Sequence, residues 1–346
     1  MNPYATSMLM FSLSTGTIIT LTSTHWFLAW IGLEMNTLAM VPLMSKMHHP
    51  RATEAATKYF LTQAMASALL LFATTTNAWY TGEWTIINMN MMIPTLLLTT
   101  ALMIKLAVAP FHLWLPDVIQ GSDLTVCLIL STWQKLAPMA LLIQISAELD
   151  STMLTLMGIL SIIIGGWGGL NQPQLRKIMA YSSIAHLGWM ILVLTYSPHL
   201  TLLNLAVYLT ITSSMFLMMM DMSSTNINKA SISWVKNLPL TTMMMIVLMS
   251  LSGLPPMSGF LPKWLIIEEI VKQNMTPIAT IAAISTLLSL FFYLRLSYVI
   301  SLTTPPTLIN SKMTWRLKVN PIQTTSTTMI ISIMLLPITP TIFNLF

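Results

Sequence analysis

Apolar residues run through this chain in long stretches that have no polar face and are broken only by short polar or Pro/Gly punctuation. A helix packed on a water-soluble core needs one apolar stripe, whereas helices apolar all round face lipid or one another. Reading the runs between punctuation predicts eleven spans, at 4–22, 25–45, 55–78, 92–120, 124–146, 152–170, 174–196, 200–220, 239–271, 275–300 and 322–344. Pro110 interrupts the fourth, and Pro255-Pro256 the ninth. At about 20 residues per crossing, such spans fill the chain and leave no room for a water-soluble domain. The fold class this predicts is an all-α polytopic membrane protein.

The two broken spans lie five apart. Five is odd, so if spans 1–5 and 6–10 are related units, one is upside down relative to the other. Inverted repeats with interrupted helices in corresponding places are the plan of many ion-coupled transporters. The division that follows is a first five-helix unit over 1–147, an inverted second over 148–301, and a polar loop with a C-terminal span over 302–346. A simple proline kink is the plainer reading of either break, but two at matching positions, each with a lysine, weigh against it.

Eleven spans put the termini on opposite faces. With the N-terminus on the positive side, Lys46, Arg51, Lys58, Arg176, Lys177, Lys229, Lys236, Arg295, Lys312, Arg316 and Lys318 gather there, 11 of the 15 basic residues. The other side holds Lys272 with Glu83, Glu148, Asp150, Glu268 and Glu269. The positive-inside rule is thus met at each informative loop.

Composition narrows the function. Hydrophobic residues make up 55% and charged residues 7%, against roughly 25% charged in an ordinary soluble domain. That sets aside soluble enzymes, secreted scaffolds and disordered chains. The net charge of +5 is dispersed among apolar segments, so it reads as topology and no nucleic-acid partner is expected. The single cysteine, Cys127, excludes a disulfide framework, a CxxC pair and a four-thiolate cluster. The N-terminal MNPYATSMLMF has neither the charged region of a signal peptide nor an arginine-rich transit pattern, which predicts no import signal.

Four charges fall inside spans: Glu34, Lys105, Lys135 and Lys263. A lysine at a helix centre costs about 2.5–3.5 kcal/mol on insertion scales, so the bundle interior must receive these groups. If Glu34 and one lysine form a static strut, two lysines still lack a mid-span carboxylate, and such amines are suited to gaining and losing protons. His112, two residues after Pro110, and His186, mid-way along the seventh span, are candidate relays, though a neutral histidine bonded within the bundle is an equal alternative. A haem held by both histidines is conceivable but has no other support.

Other motifs fail. GGWGGL at 165–170 does not match GxGxxG and follows a helix, so its glycines read as close helix contacts. No Walker loop, zinc motif or nucleophile elbow is present. The 31 methionines are scattered and form no metal box. No metal or cofactor site is expected in this chain.

The segments WIGLEMNTLAMVP, ATKYFLTQA, KLAVAPFHLWLPDV, TWQKLAP, GGWGGLNQPQLRKIMAYSSIAHLGWM and LSGLPPMSGFLPKW closely resemble the subunit 2 family of mitochondrial NADH–ubiquinone oxidoreductase, respiratory complex I. The likeness runs from about residue 20 to 300 and is weaker in the last span. The Met- and Thr-rich composition also resembles a mitochondrially encoded vertebrate protein.

The resemblance implies an antiporter-like membrane subunit of the mitochondrial inner membrane, with its N-terminus on the matrix side and its C-terminus facing the intermembrane space. It implies two inverted five-helix units, a proton path, and an enzyme role only as part of a proton-translocating NADH:ubiquinone reductase. FMN, iron–sulfur clusters and ubiquinone are then expected in partner subunits. By the same likeness, Glu34 and Lys105 are the coupled pair of a first half-channel, Lys135 the connecting lysine, Lys263 the lysine of a second half-channel, and His186 part of a central polar axis. His112 is carried over more weakly. Relatives have further N-terminal helices, so a neighbouring subunit is expected to cover the flank of spans 1–3, with lipid around the rest. Two other readings remain: a self-standing cation/proton antiporter, which shares the lysines, and a purely structural membrane subunit.

Overall fold

The structure is a computed structural model, and it describes residues 2–89, 91–236, 238–302 and 323–343. With no polar face and few helix breakers inside the runs, backbone groups away from water must bond within their own segment, which only a helix allows. The described residues accordingly fold as helices, with two isolated antiparallel bridges, His25 to Thr85 and Gln174 to Asn226, and no strands.

The helices are α1 (Pro3–Thr22), α2 (Trp26–Met44), α3 (Pro50–Thr81), α4 (Met92–Leu106), α5 (Trp114–Gly121), α6 (Leu124–Ser131), α7 (Trp133–Gln144), α8 (Ser151–Gly168), α9 (Leu175–Val193), α10 (Pro198–Asp221), α11 (Ile227–Lys236), α12 (Leu238–Ser252), α13 (Phe260–Lys272), α14 (Thr276–Leu302) and α15 (Gln323–Phe343). Six segments are long and apolar enough to cross a bilayer, and α4, α12 and the Thr324–Thr339 part of α15 are shorter apolar helices. The polar loop expected after residue 301, with Lys312, Arg316 and Lys318, falls at 303–322 outside the described residues.

Both proline-interrupted runs are broken. Helix α4 ends where Ala107 takes a left-handed backbone (φ 62°), and helix resumes at Trp114. Helix α12 ends at Ser252 before Gly253 (φ 79°), and α13 starts at Phe260. Two features depart from the sequence reading. The run 124–146 divides at Thr132, whose hydroxyl donates to the Leu128 carbonyl at 2.6 Å, a back-bond that bends helices. Helix α11 falls in a stretch read as loop. It is amphipathic, with Ile227, Ala230 and Ser233 buried and Ile232 exposed, so a search for segments apolar all round passes over it.

The chain divides into two units, Met1–Ser161 with Leu194–Pro198, and Ile162–Val193 with His199–Phe346. In the first, α3 packs against α2, α4 and α5, while α7 lies against α1, α2 and α4. Helices α1 and α2 meet closely: a Cβ on Gly16 would sit 2.9 Å from the Gly32 carbonyl oxygen, and one on Gly32 would sit 2.7 Å from that of Gly16. Small residues at such contacts are how helices gain dispersion energy where lipid removes the hydrophobic drive. In the second unit, α14 packs against α9, α11, α12 and α13. The Arg295 guanidinium of α14 donates to the Leu170 carbonyl at 2.6 Å, meeting a backbone acceptor just past the end of α8.

Candidate functional site

In the first unit the break after α4 decides the site. Its last turn carries Lys105, one turn from the carbonyls that the end of a helix leaves without intrahelical donors. The Trp114 indole donates to one of these, the Ile104 carbonyl, at 3.1 Å. The Gln63 amide of α3 reaches the Lys105 carbonyl at 3.4 Å. The Lys105 side chain is only 6% exposed, and among the described residues its Nζ has no hydrogen-bond partner.

Lys105 and Lys135, the latter 4% exposed near the start of α7, line one cavity together with Asn36, Tyr59, Gln63 and Gln134. About 20 Å3 of it is accessible to water, room for on the order of one molecule. Its walls carry no carboxylate. The Asn36 side chain, 2% exposed, has neither amide atom bonded among the described residues, and the Gln134 Nε2 is likewise without a partner. Tyr59 and Trp114 meet edge-on across the same cavity with ring centroids 5.8 Å apart.

Glu34 lies on α2, half-buried. It is not on the cavity wall, although its neighbours Leu33, Asn36 and Thr37 are. Its charge acts on Lys105 and on Tyr59, but among the described residues no ion pair within 4.0 Å joins it to Lys105. Its Oε2 is buried and without a hydrogen-bond partner among the described residues. His112 sits in the break itself, buried, with Nδ1 3.2 Å from the Pro110 carbonyl, and does not line the cavity.

The second unit handles its break differently. Lys263 lies in the first turn of α13 and donates back across the break to the Ser252 carbonyl, the last residue of α12, at 2.8 Å. Gly253 makes this possible: a Cβ there would stand 2.9 Å from Lys263 Cδ and 3.0 Å from Nζ, and its φ of 79° is in any case one that side chains disfavour. Each break therefore has a lysine at its edge: Lys263 bonds the carbonyl end of α12, where the macrodipole favours a cation, while Lys105 belongs to the last turn of α4. His186 on α9 is buried, its ring 5.5 Å from that of Tyr208.

The residues that sequence reading passed over are Asn36, Tyr59, Gln63 and Gln134. All four are polar or hydroxylated positions inside apolar spans, and Gln134 is adjacent to Lys135; neutral side chains carry no charge to mark them.

Comparison with known proteins places this geometry. The family model described as NADH:quinone oxidoreductase/Mrp antiporter, TM, matches residues 23–289, and that of the NADH dehydrogenase subunit 2 C-terminus matches residues 290–343. NADH-ubiquinone oxidoreductase chain 2 of Tetraodon nigroviridis is 56% identical over 347 residues, covering 100% of this chain and 99% of that protein. The chain belongs to the NADH-ubiquinone oxidoreductase chain 2 family. The Salmo salar chain 2 is 54% identical over 346 residues, again with 100% and 99% covered. A chain in the solved structure of respiratory complex I from Thermus thermophilus with bound aureothin superposes with a TM-score of 0.87 at 25% identity, over 99% of this chain and 80% of that one. In this chain 2 family member, no group of three or more His, Cys, Asp or Glu among the described residues is arranged to hold a metal ion. Cys127 is buried, with its thiol donating to the Ile119 carbonyl at 3.3 Å.

Proposed function

We propose that this chain is a core membrane-arm subunit of respiratory complex I in the mitochondrial inner membrane, and that it carries protons through Glu34, Lys105, Lys135, His186 and Lys263. The observation that carries this reading is the cavity that brings Lys105 and Lys135 to one wall, with no carboxylate lining it and no hydrogen-bond partner on the Lys105 Nζ among the described residues. A strut requires a counter-ion, whereas an amine that alternates between charged and neutral needs a polar route along which its proton can leave. The redox groups of the complex, FMN, iron–sulfur clusters and ubiquinone, belong in this reading to neighbouring subunits, as does the cover for the exposed Tyr4, Met8 and Phe11 of α1.

The architecture in this reading is eleven spans with the N-terminus on the matrix side, arranged as two inverted five-helix units and a C-terminal helix. The paired breaks at 107–113 and 253–259, each with its lysine, support it. Charge movement on α2 supplies the control. Two unit charges 4 Å apart at an effective dielectric of 20 interact by about 4 kcal/mol, which changes a protonation equilibrium by about a thousandfold. Glu34 approaching Lys105 holds the proton on the amine; its withdrawal frees the proton to pass along the cavity to Lys135. His112, bonded to its own turn, is assigned a place near the break and no transfer step.

The test is the ratio of protons moved to electrons transferred in the assembled complex carrying Lys135→Met or Lys263→Met. Both variants are expected to lower the ratio while electron transfer continues in the complex that assembles. An unchanged ratio in both rejects the relay. Assembly and activity falling together at constant ratio indicates a structural role.

A further inference from the structure

The break between α12 and α13 has two limbs. Pro255-Pro256 is exposed, whereas Ser258 and Gly259 are buried and run straight into α13. Gly259 lies so near the Ser250 carbonyl of α12 that a Cβ would overlap its oxygen. The Ser258 hydroxyl donates to the Ser332 carbonyl, midway along α15, at 2.5 Å, and both residues are fully buried. Ser182, Ser250, Ser252 and Ser285, buried on other helices of this unit, each donate to the carbonyl three residues back, the local way a hydroxyl is satisfied away from water. Ser258 reaches across 74 positions of sequence instead. Its acceptor is backbone, since the Ser332 hydroxyl turns back to the Met329 carbonyl at 2.8 Å. Helix α15 also packs against α12, and its first turn meets Asp221, at the end of α10, through Thr325. It belongs to the subunit 2 C-terminal segment, past the antiporter segment that ends at residue 289.

We infer that Ser258 is a positioning residue: α15, through its Ser332 carbonyl, fixes where α13 begins and so holds Lys263 within reach of the Ser252 carbonyl. The inference rests on the proton-carrying role given to Lys263 above. The chain of contacts is short. Ser258 stands just before α13, where the Phe260 N–H closes a turn on the Met257 carbonyl at 3.1 Å. Lys263 follows in the first turn and donates back to Ser252 at 2.8 Å. A lysine stem is flexible, so the ammonium keeps one backbone acceptor only if the helix that carries it starts at a fixed place. Gly259 sets how near the limb comes to α12, and the Ser258 bond sets where it stands against α15. A hydrogen bond of this kind biases an equilibrium by roughly two- to tenfold, enough to decide how often the limb, and Lys263 with it, leaves its place.

A buried hydroxyl that is satisfied with no bearing on Lys263 is the alternative. The experiment that separates them uses the assembled complex in liposomes and compares Ser258→Ala, Ser258→Cys, Lys263→Met, and Ser258→Ala combined with Lys263→Met. Two quantities are read: amide hydrogen exchange over residues 253–260, and the ratio of protons moved to electrons transferred. Cysteine keeps a weak donor at nearly the same shape, so the test survives even if the alanine variant fails to assemble. Ser258→Ala is expected to speed exchange by roughly two- to tenfold and to give part of the fall in ratio that Lys263→Met gives, with Ser258→Cys smaller on both counts. The combined variant is expected to match Lys263→Met in ratio, because residues that act through one group do not add. A normal ratio in both Ser258 variants while Lys263→Met lowers it, with or without faster exchange or poorer assembly, overturns the positioning role and leaves the relay standing. So does a ratio in the combined variant well below that of Lys263→Met. A normal ratio in Lys263→Met removes the reading beneath it.

Discussion

Gly259→Ala is expected to be the most damaging single-methyl change in the second unit. The ideal Cβ at this position would overlap the Ser250 carbonyl oxygen and stand 3.0 Å from its carbon. Both are backbone atoms in the last turn of α12, and that carbonyl already accepts the Gly253 N–H at 3.1 Å in closing the helix. A flexible side chain could swing away; this carbonyl cannot, short of unwinding the turn that presents Ser252 to Lys263. Overpacking a close-fitted interior costs about 1–3 kcal/mol where neighbours can give, and a rigid backbone contact belongs above that range. The expected result is a large fall in the thermal stability and yield of the assembled complex. Gly82→Ala is the control. Its φ is 75° but nothing lies within 4 Å of the new Cβ, so it pays only the left-handed penalty of about 1–2 kcal/mol. Equal losses in the two variants would mean that backbone conformation, and not the crowding of the break, sets the cost.

How much of this was legible in the sequence follows from what each signal measures. Apolar runs report burial away from water on all sides, so the long helices emerge with ends within a few residues: the run 4–22 corresponds to Pro3–Thr22 and the run 275–300 to Thr276–Leu302. Prolines report the loss of a backbone donor, and both breaks stand where they indicated. The break at Thr132 has no such mark, because a threonine bonding back to Leu128 looks in sequence like any threonine in a span. Lys105, Lys135 and Lys263 announced themselves because charge in an apolar run is expensive. The company they keep did not. Asn36, Tyr59, Gln63 and Gln134 reach the cavity from three helices, and only tertiary contact brings α2, α3 and α7 to one space. The lack of an ion pair between Glu34 and Lys105 is likewise invisible to spacing: positions 33, 36 and 37 line the cavity and position 34 does not.

Lys105→Met is expected to abolish proton coupling without destabilising the protein, a combination that no strut produces. The Lys105 ammonium has no hydrogen-bond partner among the described residues, and a lysine deep in a span costs about 2.5–3.5 kcal/mol. The end of α4 returns about 0.3–1 kcal/mol through its dipole, and Glu34 acts from beyond ion-pair distance. The charge is therefore a net burden on the fold, which methionine, unbranched and of similar length, removes while filling the space. Thermal stability of the variant complex should equal or exceed that of the parent, as when a strained functional group is replaced, while the ratio of protons moved to electrons transferred falls. Lys105→Arg sharpens the test. Guanidinium keeps the positive charge but does not release its proton in proteins, so a group needed only as a fixed cation is served by arginine and a group needed as a proton carrier is not. Loss of coupling in both variants identifies protonation itself as the function of Lys105. Coupling retained by arginine and lost with methionine would instead assign this position a permanent charge, leaving the proton to travel by another route.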